Sequence, residues 1–286
     1  MSSVALVARK GRVALSKQLC PTKINALKRW LQQKRRIEHG GDGKGILRVL
    51  ELCAGSGAFS RAVKRICKKL GIECKVYRLD IDSRCTVEIV ADIEKWTCQF
   101  KKGVFDIIWC SPPCTNYSNA KTVGKRNLAS ADRVAKSCVA HIDNLAPLVF
   151  FIENPRARLR KRPFMRRFLK LTHICTQCKY GRRFKKETDI CTEICAKDLR
   201  LLRCTASSPC VHVQRFEKKY GKKRHPQTAQ TGGTYDKDLK ITIPGTPSKM
   251  SAKIAPKLAE HLVHRSLAYM KERGHDRFPQ TRDAFE

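Results

Sequence analysis

Apolar positions along this chain come in short runs, each closed by a polar turn and most followed by a stretch with helical spacing. The run "ILRVLELC" at 46–53 reads as a buried strand, "AGSGAF" as a glycine turn, and "SRAVKRICKKL" as the helix after it. "CKVYRLDID" is a second strand ending in acids, "VEIVADIEKW" gives a third, and "FDIIWC" a fourth. "SADRVAKSCVAHIDNL" is an amphipathic helix, and "APLVFFIENP" a fifth strand, again acidic at its end. Alternating units of this size predict a parallel sheet with helices on both faces, an α/β doubly wound fold.

The same pattern divides the chain. "HGGDGKG" at 39–45 is a flexible break, so residues 1–44 are read as a basic arm containing one helix, "INALKRWLQQKRRI". Residues 45–186 form the regular domain. From 187 to 250 periodicity fades into short segments with Gly, Pro and Thr, the pattern of a small irregular lobe. Residues 251–286 hold the returning amphipathic helix "SAKIAPKLAEHLVHRSLAYMKE" and a frayed tail.

Charge changes the picture more than length does. The 286 residues carry 60 Lys+Arg against 25 Asp+Glu, a net charge of +35. Such an excess points to a polyanionic partner, with nucleic acid first. It concentrates in "PRARLRKRPFMRRFLK" and "KYGRRFKK", which flank strand-end loops and suit a phosphate track. No apolar run approaches the roughly 18 residues of a membrane span. Fifteen scattered cysteines without a secretory signal predict reduced thiols in an intracellular compartment, nuclear or cytoplasmic, where DNA is present. Residues 1–37 lack any acid, which suits a phosphate-gripping arm, with organelle import as the alternative.

Candidate chemistry centres on "FDIIWCSPPCTNYSNAK" at 105–121. Two prolines stop a buried strand and stiffen the next loop. Cys114 therefore stands on a rigid loop at a strand's carboxyl end, where open α/β sheets bind ligands. The glycine turn after the first strand permits close ligand approach. The dinucleotide pattern GxGxxG is absent, because "AFSRAV" follows Gly57, which disfavours a nicotinamide cofactor. A nucleoside pocket remains: Asp80 at the second strand end suits ribose hydroxyls, and Asp92 at the third suits an adenine amino group.

In this order, "LELCAGSGAF", "LDID", "ADI", "SPPCTNYS" and "FFIENP" resemble the motifs of the cytosine-C5 DNA methyltransferase family, most closely its compact phage and large-DNA-virus versions. The resemblance spans about residues 46–190 and, more weakly, the terminal helix. It implies a doubly wound class I methyltransferase sheet with a small target-recognition lobe, and S-adenosylmethionine as methyl donor. The implied cofactor contacts are Cys53, Ala54, Gly55, Gly57, Phe59, Asp80, Ile81, Asp92, Ile93 and Pro112. Cys114 is the implied nucleophile toward cytosine C6, with Glu153 meeting charge at N3 and Asn154 fixing the loop. Pro155 stands where the family usually has valine. The family's arginine for cytosine O2 is placed only within "KYGRRFKKETDI", with Arg182 or Arg183 as candidates.

A base inside a duplex is unreachable and must be flipped out. Ser118, Arg156, Arg158 and Arg160 are the expected grips on the displaced backbone. The expected partner is DNA, with RNA or tRNA as the alternative substrate and a catalytically silent DNA-binding module as the alternative class. No membrane partner and a monomer are expected. Cys204, Cys210 and His212, with His225 as a fourth ligand, form the better of the candidate metal clusters. They lack the paired CxxC pattern of a strong zinc site, so no metal is assigned.

Overall fold

The computed structural model describes residues 46–121 and 124–274, the side chain of Lys249 excepted. The basic arm, its expected helix and the tail from 275 lie outside the described residues.

The chain runs β1 (Ile46–Leu52), α1 (Ala58–Leu70), β2 (Glu73–Asp80), β3 (Ile89–Val90), β4 (Ile107–Cys110), α2 (Leu128–Leu145) and β5 (Val149–Pro155). A hairpin of β6 (Thr172–Thr176) and β7 (Glu187–Cys191) follows. Then come α3 (Ala196–Leu199), α4 (Val211–Tyr220), the small pair β8 (Thr234–Asp236) and β9 (Ile241–Ile243), α5 (Ser248–Ala252) and α6 (Pro256–Glu272). The seven-stranded sheet has the order β3-β2-β1-β4-β5-β7-β6. Strands β1 to β5 pair in parallel, while β7 is antiparallel to both its neighbours.

The expected doubly wound sheet is present, and its two faces bury separate cores. One face carries α1 and α6 over Val49, Ile107, Trp109 and Phe151, with Phe59 stacked on Trp109 at 4.5 Å. The other carries α2 and the segment 159–168 over Leu50, Ile108, Phe150 and Ile152. Strands covered on both sides read as continuous apolar runs, which is why β1, β4 and β5 were visible in the sequence.

Two expectations need correction. The third strand shrinks to Ile89–Val90, since "ADIEKW" turns away after pairing with the end of β2. Glu187–Cys191, counted with the irregular lobe, is a strand of the main sheet, paired between β5 and the edge strand β6. Its "ETDIC" hides Thr188 and Asp189 inside, so no apolar alternation announced it.

The loop after β4 is held from three sides. Tyr117 Oη donates to Asp132 Oδ1 at 2.8 Å, and Arg162 grips the same carboxylate with bonds of 2.6–3.0 Å. Arg126 donates to the carbonyls of Asn116, Ser118 and Lys121. Asp132→Ala is expected to cost about 2–3 kcal/mol, because two donors lose a buried acceptor. Urea unfolding of wild type and variant measures it.

Candidate active site

Parallel pairing of β4 and β5 sets Cys110 opposite Ile152. The residues just beyond, the loop carrying Cys114 and the pair Glu153–Asn154, therefore emerge side by side at the carboxyl edge of the sheet. Asn154 Nδ2 donates to the Pro112 carbonyl at 2.8 Å and ties the two strand ends together. Cys110, Cys138, Cys175 and Cys191 are sealed in the interior, whereas Cys114 is half-buried on its loop. The Cys114 backbone carbonyl accepts from Tyr117 and Ser118 N–H groups, which closes a tight turn beneath the thiol.

Glu153 is only 6% exposed. Its cation is Lys186, the residue before β7, which is 9% exposed with Nζ 3.9 Å from Glu153 Oε1. Neither of those two atoms has a hydrogen-bond partner, and Asn154 Oδ1 is likewise buried without one. Buried polar atoms are nearly always satisfied, so the unbonded Glu153 Oε1 and Lys186 Nζ, 3.9 Å apart, stand out as groups able to meet polar atoms of a ligand. Burial pushes the Glu153 carboxyl up from its ordinary range, with Lys186 pulling it back. Burial also pushes the Cys114 thiol up; Lys186 lowers it and Glu153 raises it. One ammonium group thus acts on both side chains.

Sequence reading missed Lys186. The basic stretch 179–186 was visible, but nothing in it says which of its cations faces inward. Arg182 instead donates to the carbonyls of Lys253 and Ile254 and holds the approach to α6, while Arg183 is exposed.

The glycine turn lies at the same edge. Cys53, Gly55 and Gly57 all have positive φ, at 54°, 49° and 64°. A Cβ placed on Gly55 would meet nothing within 4 Å, so open space lies over the turn. Asp80 Oδ2 accepts from the Gly55 N–H at 2.7 Å and Oδ1 from the Asp82 N–H at 2.9 Å. Each carboxylate oxygen keeps a further lone pair for a hydroxyl. Ile81 leaves 69% of its surface exposed beside it, an apolar plate of the kind a flat ring covers. Asp92 Oδ1 accepts from the Glu94 N–H at 2.9 Å, and Ile93 and Ala54 are buried beneath. Phe59 is fully buried and supports the turn from below. The open turn, the acid at the strand end and the exposed Ile81 fit an adenosyl group. A second residue missed from sequence is Glu51: from inside β1 its buried carboxylate accepts from the Ser60 N–H at 3.1 Å. It thereby caps α1, whose Gly57 offers no side chain, and steadies the turn.

The expected backbone grips divide by their partners. Arg156 pairs with Glu187 at 3.0 Å and Arg160 with Asp189 at 3.2 Å, so both brace β7. Burial raises the Asp189 carboxyl to about 6, against the pull of Arg160 and Arg156. Arg158 is exposed. Ser118 Oγ accepts from the Ala120 N–H at 3.1 Å.

Residues 47–181 match the family model for C-5 cytosine-specific DNA methylase. Among solved structures, a mutant of Spodoptera frugiperda DNMT2 is similar at 16% identity and a TM-score of 0.36, covering 51% of this chain and 49% of that one. The CMeT domain of the citrinin polyketide synthase is similar at 12% identity and TM-score 0.28, covering 46% and 34% of the two chains. DszA carbon methyltransferase follows at 14% identity and TM-score 0.28, covering 47% and 35%. This chain thus spans about half the length of the first of these structures and less of the others. The comparison with curated proteins finds no match.

Proposed function

We propose that this chain, whose residues 47–181 match the family model for C-5 cytosine-specific DNA methylase, methylates C5 of cytosine in DNA. The observation that carries this reading is the trio of Cys114, Glu153 and Lys186, in which the unbonded Glu153 Oε1 and Lys186 Nζ lie 3.9 Å apart and both side chains act on the Cys114 thiol.

Cytosine C5 is a weak nucleophile until C6 is attacked. The Cys114 thiolate adds to C6, forming an S–C6 bond and moving the C5–C6 electron pair toward C5 and N3. Glu153, which burial keeps protonated to a higher pH than an ordinary carboxyl, meets the charge arriving at N3. Lys186 favours the thiolate before attack and the carboxylate once Glu153 has given its proton. Asn154 keeps the carboxyl and the thiol loop in register through its bond to Pro112. Loss of the C5 proton and expulsion of the thiolate then restore the ring. S-adenosylmethionine, when bound, supplies the electrophilic methyl group; Gly55, Asp80, Ile81 and Asp92 would hold it.

The test is a covalent trap. With fluorine at C5 no proton can leave, so duplex DNA containing 5-fluorocytosine should give a denaturant-stable protein–DNA adduct that requires the methyl donor. Radiolabelled methyl transfer to cytosine duplex, compared with bulk tRNA, identifies the polymer. An adduct or methyl transfer only on tRNA overturns the DNA reading; none on either overturns the enzyme.

Duplex binding should be strongly salt-dependent. Arg158→Ala is expected to weaken it about equally for all sequences and to lower the salt slope by about 1. Fluorescence anisotropy across a salt series measures this, and an unchanged slope removes Arg158 from the interface.

A further inference from the structure

The lobe after β7 is poor in apolar burial. Between residues 200 and 250 its buried hydrophobic side chains are Cys204, Cys210, Val213, Phe216 and Ile243. Its separate small cluster consists of Cys178, Cys204, Cys210 and Val213, three thiols and one valine. So little core does not hold a segment of this length, and small units of this kind usually carry a staple.

The thiols converge with a histidine. Cys178 comes from the turn Gln177–Tyr180 that follows β6, and Cys210 stands at the N-cap of α4. Cys204 precedes that helix and His225 follows it. The three Sγ atoms and a ring nitrogen of His225 all lie within 4.8 Å of one another. His225 Nε2 is 3.4 Å from Cys210 Sγ and 3.9 Å from Cys204 Sγ. Ligands of a tetrahedral zinc ion, at about 2.3 Å for sulfur and 2.0–2.1 Å for nitrogen, stand about 3.5–3.8 Å apart. The two measured edges bracket that spacing.

The surroundings are built to hold these ligands. The Cys210 N–H donates to Cys204 Sγ at 3.2 Å, a bond that favours a thiolate acceptor. Cys204 N–H donates to Thr176 Oγ1 at 2.6 Å. Lys179 Nζ donates to Ser208 Oγ and the Pro209 carbonyl at 3.0 and 2.9 Å, which pins the loop between Cys204 and Cys210. Supporting bonds of this kind orient metal ligands. His212, the candidate from sequence, is not in the cluster; Cys178, from the hairpin of the main sheet, takes its place.

We propose that Cys178, Cys204, Cys210 and His225 bind one structural zinc ion. On binding, the three S–H protons leave to solvent and the imidazole coordinates as the neutral ring. Four protein ligands leave no position for water, so the ion holds structure and performs no chemistry. Soft thiolates exclude magnesium and calcium. The ion ties α4 to the turn after β6, one residue from Gln177. The Gln177 N–H in turn donates to the Lys186 carbonyl at 3.0 Å, so the staple reaches the backbone that positions the active-site cation.

The experiment is elemental analysis of the full chain, purified under reducing conditions without chelators. One zinc per chain is expected. Replacing it with cobalt(II) should give thiolate charge-transfer bands and the intense visible absorption of a tetrahedral site. Cys204→Ser combined with Cys210→Ser should lose the metal, while His225→Cys and the exposed Cys195→Ser should retain it. Zinc-free wild-type protein, an octahedral cobalt spectrum, or full zinc in the double variant each overturns the proposal. The wild-type measurements decide it even where a variant does not fold, and none depends on methyl transfer.

Discussion

Cys114→Ser protein should transfer no methyl group to duplex DNA, a loss on the order of 10⁴-fold or more, as expected when a covalent nucleophile is removed. A serine hydroxyl keeps the shape of the thiol but is far less ionised near neutrality. The Tyr117 and Ser118 N–H groups bond the backbone carbonyl of residue 114, so the turn survives the exchange. Unfolding should therefore shift by less than about 1 kcal/mol, as is usual for isosteric changes away from a packed core. Binding of the methyl donor should be unchanged, since it depends on the turn after β1. Isothermal titration with the donor, beside a methyl-transfer assay, separates these effects. Cys195→Ser, an exposed thiol elsewhere, should keep full activity. Undiminished transfer by the Cys114→Ser protein refutes covalent catalysis at this residue.

Lys186→Met should have the next largest effect, and it carries a signature that simple misfolding lacks. Lys186 lowers both the Glu153 carboxyl and the Cys114 thiol, each of which burial has raised. Without the ammonium group both values climb further. The thiolate then forms only at higher pH, moving the rising limb of the rate profile upward. Glu153 also stays protonated to higher pH, moving the falling limb in the same direction. A displacement of about one pH unit and a loss of about 10–100-fold near neutrality follow from removing one close charge. Lys186→Arg should restore part of the rate and return the profile toward wild type. The pH dependence of Cys114 alkylation by iodoacetamide gives an independent reading without DNA. A profile that falls in height without moving would reduce Lys186 to a packing role.

Much of this protein was legible in one dimension, and the reason is burial. Strands covered on both faces are mostly apolar: "ILRVLEL" is broken only by Arg48 and Glu51, and "VFFIENP" is apolar as far as Ile152, so β1 and β5 could be read directly. The prolines before Cys114 and the acids at strand ends were readable because turns and strand ends demand particular residues. Parallel order then obliged Cys114 and Glu153 to emerge at one edge. Strand β7 escaped because its interior positions are filled by Thr188 and Asp189, whose partners come from elsewhere in the chain.

What only the tertiary structure decided is which distant side chains meet. Five basic residues in 179–186 look alike as text, and it took the hairpin register to turn Lys186 inward and Arg182 toward the carbonyls of Lys253 and Ile254. Cys178 and His225 are separated by a strand and two helices, yet the fold brings them into one cluster with Cys204 and Cys210. Local sequence dictates local shape through sterics and burial. Contacts between remote residues depend on how whole elements pack, and no spacing along the chain encodes that.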